Sequence, residues 1–441
     1  MRQFNTIELL LKGTFAMFEK VKKLTESCSC HKKHSLLTEE CVVGRNAELR
    51  MKEYIAGKGY ASVMIVCDEN TAVFCPKITA YIGAEIVTVD GHAHATEVYC
   101  AQVMAEMDRI APDVLIACGS GSVHDITRYC AFEKKIPFLS YPTAASVDGF
   151  VSSVAAMTWY GQKLTFESAP PMAVFANPEV YCTAPARLTA SGVGDVFGKY
   201  TSLFDWKVAS ALTGEYYCHE ISDLEYEAVR DLKEAVYARK SISEEEYTTK
   251  VMEGLLLSGL AIQLTGNSRP ASGAEHHMSH LWEMARINDD TDALHGEKVA
   301  VGLLAAVRRY KEYLAGGIDF DAIEKIDLGK VMDKEYLAPV FRELLEPTLK
   351  ENLPGGTLES SSLAAIDVTD RERITAAIEK ANDELPSAEE IEELLVLADV
   401  TRTPGEVNLP EDDGFIARSL EFAPYVRNRL TLLKVIAASA R

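Results

Sequence analysis

The sequence lacks any uninterrupted run of apolar residues as long as the roughly 18 that a membrane-spanning helix needs. Charged residues also interrupt the apolar residues of the N-terminal stretch MRQFNTIELLLKGTFAMFEK before a signal-peptide core forms. We therefore expect a soluble, cytoplasmic protein without a membrane partner.

The sequence is also poor in positive charge relative to negative charge. It has 45 Lys and Arg residues against 66 Asp and Glu residues, a formal net charge of −21. Its nearest approach to a basic patch is Lys22-Lys23 with Lys32-Lys33. Because such a surface repels phosphate backbones, we expect no nucleic-acid partner.

Cysteine is too sparse for a disulfide-stabilised scaffold, at ten residues in 441. The thiols are therefore predicted to be reduced. Two of them form the cluster Cys28-Ser29-Cys30-His31 with His34. This cluster lacks a second paired half at zinc-finger spacing, so we interpret it as a surface turn.

Apolar runs rich in β-branched residues mark the first half of the chain. They span residues 61–67, 85–89, 113–118 and 137–141, and helix-length segments separate them. Such near-continuous apolar strands are typical of a parallel α/β sheet. After about residue 185, helical periodicity replaces the strand pattern, over residues 224–239, 244–264, 274–287, 298–313 and 422–439. The sequence thus predicts an α/β domain over residues 1–185 and an all-helical domain over residues 186–441.

A glycine-rich turn follows the third predicted strand. Its residues are Gly119, Ser120, Gly121 and Ser122, and a helix is predicted from Val123. Glycines let the backbone approach a ligand closely, and the free N–H groups of a helix start attract phosphate. The pattern is not the G-x-G-x-x-G dinucleotide fingerprint, so a purely structural turn stays an alternative.

Two more polar segments follow strands at the same predicted sheet edge. The segment 142–149 brings small hydroxyl residues there, where ligands bind in open α/β sheets. Asp68 also follows a strand. It can accept hydrogen bonds from a ribose or serve as a turn residue, and its spacing alone favours the turn.

Four of the ten histidines fall between residues 276 and 295. His276 and His280 are spaced to share one face of a helix, and His295 follows. Upstream, Asp195 lies at the predicted start of a helix. One Asp and two His form a three-ligand set that leaves coordination positions open, as catalytic metal sites do. Spacing alone does not say which of the clustered histidines are ligands.

Together these segments resemble the sn-glycerol-1-phosphate dehydrogenases, within the wider group of iron-containing alcohol dehydrogenases, glycerol dehydrogenases and dehydroquinate-synthase-like proteins. The matching segments are 119–125, 142–152, 192–195, 268–280 and 295–297, and the sequence SRPASGAEH at 268–276 is the most specific. The resemblance implies a Rossmann-like nucleotide-binding domain, an all-helical domain, and a metal ion in the cleft between them. We expect a homo-oligomer, a dimer or larger.

The resemblance also implies roles for single residues. The NAD or NADP pyrophosphate would lie against Gly119, Ser120, Gly121, Ser122 and Val123. The nicotinamide side would be contacted by Thr143, Ala144, Ala145, Ser146 and Ser152. One divalent metal ion, zinc with nickel or iron as alternatives, would be bound by Asp195, His276 and His295, and the substrate would be contacted by Asp148 and His280. Two residues depart from the family pattern: Ser120 replaces a glycine and Val147 replaces a histidine.

The reaction that the resemblance implies is metal-assisted reduction of dihydroxyacetone phosphate to sn-glycerol 1-phosphate. A glycerol dehydrogenase acting on an unphosphorylated polyol and a dehydroquinate-synthase-like lyase are the alternatives. The lyase is disfavoured because its first metal ligand is expected to be Glu, where this chain has Asp195. A phosphoester also calls for a local cation, for which Arg269 is a candidate, with a loop salt bridge as its alternative role.

Overall fold

A parallel six-stranded sheet organises the first part of the chain. The structure is a computed structural model, and it describes residues 17–160 and 162–441. The sheet has the order β1-β8-β5-β4-β2-β3, and a separate antiparallel hairpin pairs β6 with β7. The strands are β1 (Glu40–Val43), β2 (Val63–Asp68), β3 (Glu85–Val89), β4 (Val114–Gly119), β5 (Phe138–Pro142), β6 (Val154–Trp159), β7 (Gln162–Glu167) and β8 (Ala173–Ala176).

The helices that follow β1, β2, β3, β4 and β8 cover both faces of this sheet. They are α1 (Ala47–Lys58), α2 (Cys75–Thr79), α3 (Glu97–Ile110), α4 (Gly121–Lys134) and α5 (Pro178–Tyr181). One core cluster packs Met51 and Ile55 of α1 against the sheet, and the other packs Val103 of α3 and Ile126 of α4 against the opposite face. Because the central strands are buried on both faces, they read as continuous apolar runs.

Beyond β8, the described residues form helices and turns without a strand. The helices are α6 (Ala186–Phe197), α7 (Lys199–Thr213), α8 (His219–Tyr237), α9 (Glu244–Thr265), α10 (Ala274–Glu283), α11 (His295–Ala315), α12 (Phe320–Glu324), α13 (Leu328–Val331), α14 (Lys334–Phe341), α15 (Leu345–Asn352), α16 (Arg371–Glu384), α17 (Ala388–Leu397), α18 (Asp413–Phe422) and α19 (Leu432–Ser439). The predicted fold class, an α/β Rossmann-like part followed by an all-helical part, is confirmed.

The described residues form two compact units. The first contains the described residues up to Val196 together with Arg230–Asn267, and the second contains Phe197–Val229 and Ser268–Arg441. The first unit therefore includes α9 as well as the sheet. The two domains predicted from the sequence, residues 1–185 and 186–441, stay a prediction.

Two helix predictions are wrong. The last helix does not run over 422–439, since Phe422 ends α18 and α19 begins only at Leu432. A turn that contains Pro424 separates them, and the side chain of Thr431 accepts a hydrogen bond from the backbone N–H of Lys434 to start α19. Asp195 lies near the end of α6 rather than at the start of a helix.

None of the helices in residues 17–160 and 162–441 is long and apolar enough to cross a membrane. Most of the N-terminal stretch in which we expected no signal-peptide core, residues 1–16, lies outside the described residues.

Candidate active site

The glycine turn connects β4 directly to α4. β4 ends at Gly119, Ser120 occupies the N-cap position, and α4 begins at Gly121, two residues earlier than predicted. A Cβ atom on Gly119 would lie 2.5 Å from the Cβ of Val123. Only glycine therefore fits where the chain turns from strand into helix. The result is a helix N-terminus at the carboxyl end of a central parallel strand, which is where nucleotide phosphates bind in such sheets.

A buried histidine that the sequence analysis missed supports this turn. The ring Nδ1 of His124 lies 2.9 Å from the carbonyl oxygen of Ser120, and Nε2 lies 2.7 Å from the hydroxyl of Ser140 on β5. A carbonyl only accepts, so Nδ1 carries the proton and Nε2 accepts from Ser140. Burial lowers the pKa of His124 to about 3, so the ring is neutral.

The end of β5 lies beside the glycine turn, as predicted for segments at one sheet edge. The backbone N–H of Thr143 donates to the carbonyl of Gly119 at 3.1 Å. Ala144, Ala145 and Ser146 are buried behind it. The hydroxyl of Ser146 has no hydrogen-bond partner among the described residues. A buried hydroxyl without a partner is costly unless a ligand supplies one.

Two other predicted cofactor residues have local structural contacts. The carboxylate of Asp68 accepts from the backbone N–H of Thr71 at 2.8 Å and from its hydroxyl at 2.9 Å. This is the turn role that its spacing favours. The hydroxyl of Ser152 donates to the carbonyl of Val154 at 3.0 Å and accepts from that residue's N–H.

Asp195 is completely buried and is oriented by the segment that follows β5. Its Oδ2 accepts from the backbone N–H of Asp148 at 2.9 Å, and Oδ2 of Asp148 accepts from the hydroxyl of Ser258 at 2.9 Å. The glycines beside Asp195 misled the helix prediction, since Gly192 serves a close approach inside α6 rather than a turn. A Cβ on Gly192 would lie 2.2 Å from the carbonyl oxygen of Ala145.

The second unit brings three of the predicted histidines together. His276 and His280 lie on α10, and His295 begins α11. The ring centroid of His276 is 5.1 Å from that of His295 and 6.1 Å from that of His280, and His280 and His295 are 5.9 Å apart. His277 makes none of these ring contacts and is fully buried.

Close packing of α10 on α11 produces this convergence. A Cβ on Gly302 of α11 would lie 2.6 Å from the carbonyl oxygen of Glu275 on α10. The start of α10 is held by a residue that sequence reasoning missed. The carboxylate of Asp205 accepts from the backbone N–H groups of Ala274 and Leu432 at 2.9 Å and 2.8 Å. Burial and the charge of Glu275 raise the pKa of Asp205 to about 7.

Each imidazole of the cluster meets a carboxylate at Nδ1. His276 Nδ1 lies 2.6 Å from Glu275, and His280 and His295 lie 3.1 Å and 3.3 Å from the two oxygens of Glu283. Burial alone would raise the pKa of both carboxyls, but their histidine hydrogen bonds keep both pKa values below the usual range. Burial lowers the pKa of His280 to about 4. With Nδ1 donating to a carboxylate, Nε2 keeps a lone pair, which is how carboxylates orient metal-ligating histidines.

Two arginine side chains, Arg269 and Arg429, make contacts around residues 268–272, just before α10. The guanidinium of Arg269 pairs with Glu215 and donates to the carbonyl of Leu430 at 2.7 Å, so it has the alternative role, a loop salt bridge. Arg429 donates to the carbonyl oxygens of Ser268 and Ser272 at 3.2 Å and 2.5 Å. Burial, with the charges of Arg269 and Arg427, lowers the pKa of Arg429 to about 9.

The predicted site residues therefore form two groups. The glycine turn, residues 143–146, Asp148 and Asp195 belong to the first compact unit, and His276, His280 and His295 belong to the second. Glu283 and Asp205 contact the histidines or their helix but carried no motif in the sequence. Glu275 lies within the SRPASGAEH segment, but the sequence analysis gave it no role. The tail sequence VRNRL at 426–430 was the available signal for Arg429.

Comparison with known proteins gives relatives along nearly the whole chain. Residues 42–185 match the family model described as iron-containing alcohol dehydrogenase. The glycerol-1-phosphate dehydrogenase [NAD(P)+] of Geobacillus stearothermophilus is 33% identical over 434 residues, which is 94% of this chain and 96% of that protein. The protein of the same name from Bacillus licheniformis is 37% identical over 313 residues, 68% of this chain and 77% of that protein.

Solved structures share the fold at lower identity. An iron-containing alcohol dehydrogenase from Corynebacterium glutamicum matches with a TM-score of 0.56 and 18% identity, covering 93% of this chain and 92% of that one. Maleylacetate reductase from Rhizobium sp. strain MTP-10005 matches with a TM-score of 0.61 and 14% identity, covering 92% and 96%. These likenesses establish the fold.

Proposed function

Since this chain belongs to the glycerol-1-phosphate dehydrogenase family, we propose that it catalyses the reversible, NAD(P)H-dependent reduction of dihydroxyacetone phosphate to sn-glycerol 1-phosphate. The observation that carries the proposal is the convergence of three imidazoles, each with Nδ1 next to a carboxylate. Orientation of this kind is characteristic of metal-ligating histidines rather than of histidines that only fill a core.

A divalent metal ion would be bound by Asp195, His276 and His295. The donor set fits such an ion, since one carboxylate and two imidazoles suit zinc, nickel and iron and leave coordination positions open. When bound, the ion polarises the substrate carbonyl and the nicotinamide donates or accepts the hydride. Zinc is the ion we propose first, with nickel or iron as alternatives.

NAD or NADP would lie along the edge of the sheet. The backbone of Gly119 to Val123 would hold the pyrophosphate at the start of α4, and Asp68 would face the ribose. The buried hydroxyl of Ser146 is suited to the nicotinamide side, since a ligand there would satisfy it. Thr143, Ala144, Ala145 and Ser152 would complete this side.

His280 and Asp148 would contact the substrate. Because its pKa is low, His280 is neutral at pH 7, and Glu283 holds its Nδ1 proton. Nε2 of His280 can therefore take the proton of the C2 hydroxyl during oxidation and return it during reduction. The ester phosphate calls for positive charge, for which we propose Arg429, since the guanidinium of Arg269 is paired with Glu215.

The phosphate requirement tests the proposal. We expect purified protein to oxidise NADH or NADPH with dihydroxyacetone phosphate, and to use unphosphorylated dihydroxyacetone at least about 100-fold less efficiently in kcat/KM, as expected when a phosphate contact worth roughly 3 kcal/mol is lost. Equal or greater turnover with dihydroxyacetone would overturn the phosphoester substrate. Absence of turnover with both ketones would overturn the dehydrogenase itself.

Location and assembly complete the proposal. All ten cysteines lie in the described part of the chain without a disulfide, which fits the reducing cytoplasm. We expect a homo-oligomer, which light scattering would detect as a particle of at least twice the mass of one chain. A monomeric mass at working concentration would contradict this.

A further inference from the structure

A cluster of two thiols and an imidazole lies far along the chain from the residues proposed for catalysis. Cys28, Cys30 and His34 belong to the irregular segment between the helical residues 17–26 and β1. The two Sγ atoms and a ring nitrogen of His34 all lie within 4.8 Å of one another. Ligands of a tetrahedral zinc ion lie roughly 3.3–3.8 Å apart, so a small rearrangement would bring all three onto one ion.

His34 is already oriented as a metal ligand. Its Nδ1 lies 2.7 Å from the carbonyl oxygen of Leu264 at the end of α9, and its Nε2 lies 3.1 Å from Sγ of Cys30. A carbonyl only accepts, so Nδ1 carries the proton and Nε2 directs its lone pair toward the sulfur. A backbone carbonyl that fixes the tautomer in this way is a common partner of metal-ligating histidines.

The turn between the thiols also suits a metal ion. The backbone N–H of Lys32 points at Sγ of Cys30 at 3.4 Å, and such a contact stabilises a thiolate. His31 adopts a left-handed conformation with φ of 61°, which reverses the chain after Cys30. The side chains of Cys28 and Cys30 are half-buried, so an ion can enter from solvent, whereas His34 is buried.

The segment has a structural reason to bind metal. Residues 27–39 form neither helix nor strand. They are attached to α9 through His34 and through Gln263, whose Oε1 accepts from the backbone N–H groups of Leu37 and Thr38 at 3.1 Å and 3.2 Å. A metal ion at the two cysteines would extend this attachment toward the helical residues 17–26.

We propose that Cys28, Cys30 and His34 bind a structural zinc ion, separate from the catalytic metal. The spacing does not match a zinc finger, and the surface-turn interpretation of the sequence missed that His34 is buried and hydrogen-bonded through Nδ1. Two thiolates and one imidazole are donors that zinc favours. A further thiol of the chain or a water molecule would complete the tetrahedron.

Cobalt substitution of the full-length protein tests the site. Co²⁺ bound to thiolates gives an intense near-ultraviolet charge-transfer band, and the catalytic ligands proposed above include no sulfur. We expect the band in the wild-type protein and its loss in Cys28→Ser and Cys30→Ser. Cys182→Ser, which changes a half-buried cysteine outside the cluster, is the matched control and should keep the band.

Metal analysis gives a second readout. Cys30→Ser should contain about one zinc equivalent per chain less than Cys182→Ser, while its dehydrogenase turnover is retained. If Cys30→Ser does not fold, His34→Cys replaces it and should keep the zinc and strengthen the charge-transfer band. A wild-type protein without the band, or a band that survives in both Cys28→Ser and Cys30→Ser, would overturn the proposal.

Discussion

His124 is a neutral imidazole, completely buried beneath the glycine turn. Because its pKa falls from 6.5 to about 3 on burial, the unfolded chain binds a proton at this position more readily than the folded protein does between those pH values. The contribution of the neutral His124 ring to the free energy of unfolding is therefore fully present above pH 6.5 and is lost progressively as the pH falls toward 3. Asp205, with its raised pKa, has the opposite dependence.

Replacing His124 should reduce the acid sensitivity of the fold. Between pH 7.5 and pH 5.5, we expect His124→Gln to lose about 1.4 kcal/mol less free energy of unfolding than the wild type, because one fewer proton binds on unfolding. Urea unfolding at the two pH values measures this difference. His92→Gln, at an exposed histidine, should behave as the wild type. If His124→Gln and the wild type lose the same free energy of unfolding between the two pH values, the ring of His124 is not held neutral by burial.

Arg429 should act on substrate affinity. Removing its charge with Arg429→Gln should reduce kcat/KM for dihydroxyacetone phosphate by roughly 10- to 100-fold, mainly through KM, because a charge-assisted bond to the phosphate is lost. The KM for NADH should stay unchanged. Arg309→Gln, on α11 in an ion pair with Glu312, is the control. An unchanged KM for the ketone in Arg429→Gln would assign the phosphate to other residues.

Some site residues were predictable from sequence because their signal is local. His276 and His280 are one helical turn apart, and His295 is close in sequence, so spacing alone indicated a cluster. Asp205 stayed hidden because its partner Ala274 lies 69 residues away. The pairing of Arg269 with Glu215 also depends on tertiary contact, so the sequence could not show which of its two candidate roles Arg269 would have.

At the scale of elements, the strand-to-helix turn at Gly119 shows how packing restricts a residue. Gly119→Ala would place a Cβ 2.5 Å from that of Val123, so α4 must shift at its N-terminus. We expect the dissociation constant of NADH to rise about tenfold, corresponding to ~1.4 kcal/mol. Fluorescence titration measures it.

Gly57→Ala is the matched control for this substitution. Gly57 lies inside α1, and a Cβ there would meet nothing within 4 Å. That variant should bind NADH normally and be more stable by about 0.5–1 kcal/mol, because alanine favours helix over glycine. Unchanged NADH affinity in Gly119→Ala would show that the turn does not carry the pyrophosphate.

Strands were predictable from the sequence where burial produces a long run of apolar residues. β2, β4 and β5 are buried on both faces, so each appeared as a continuous apolar run. β1 and β8 have only four residues each, too few for a pattern. β6 was missed because its exposed residues Val154 and Ala156 are apolar like its buried residues Ala155 and Met157, so the sequence shows no alternation.

At the scale of the whole molecule, the residues proposed for the reaction come from both compact units. The glycine turn and Asp195 belong to the first unit, and the imidazole cluster belongs to the second. The sequence indicated that Asp195 and the histidines act together mainly through the resemblance to a family, because no periodic pattern connects residues that far apart in the chain.

Metal removal followed by metal return tests the central claim most directly. We expect chelator-stripped protein to bind NADH but not to oxidise it with dihydroxyacetone phosphate, and to regain turnover when Zn²⁺, Ni²⁺ or Fe²⁺ is added. His276→Ala should bind NADH and stay inactive after the same addition, because it lacks a metal ligand. Full turnover by metal-free protein, or a His276→Ala variant as active as the wild type, would contradict the account.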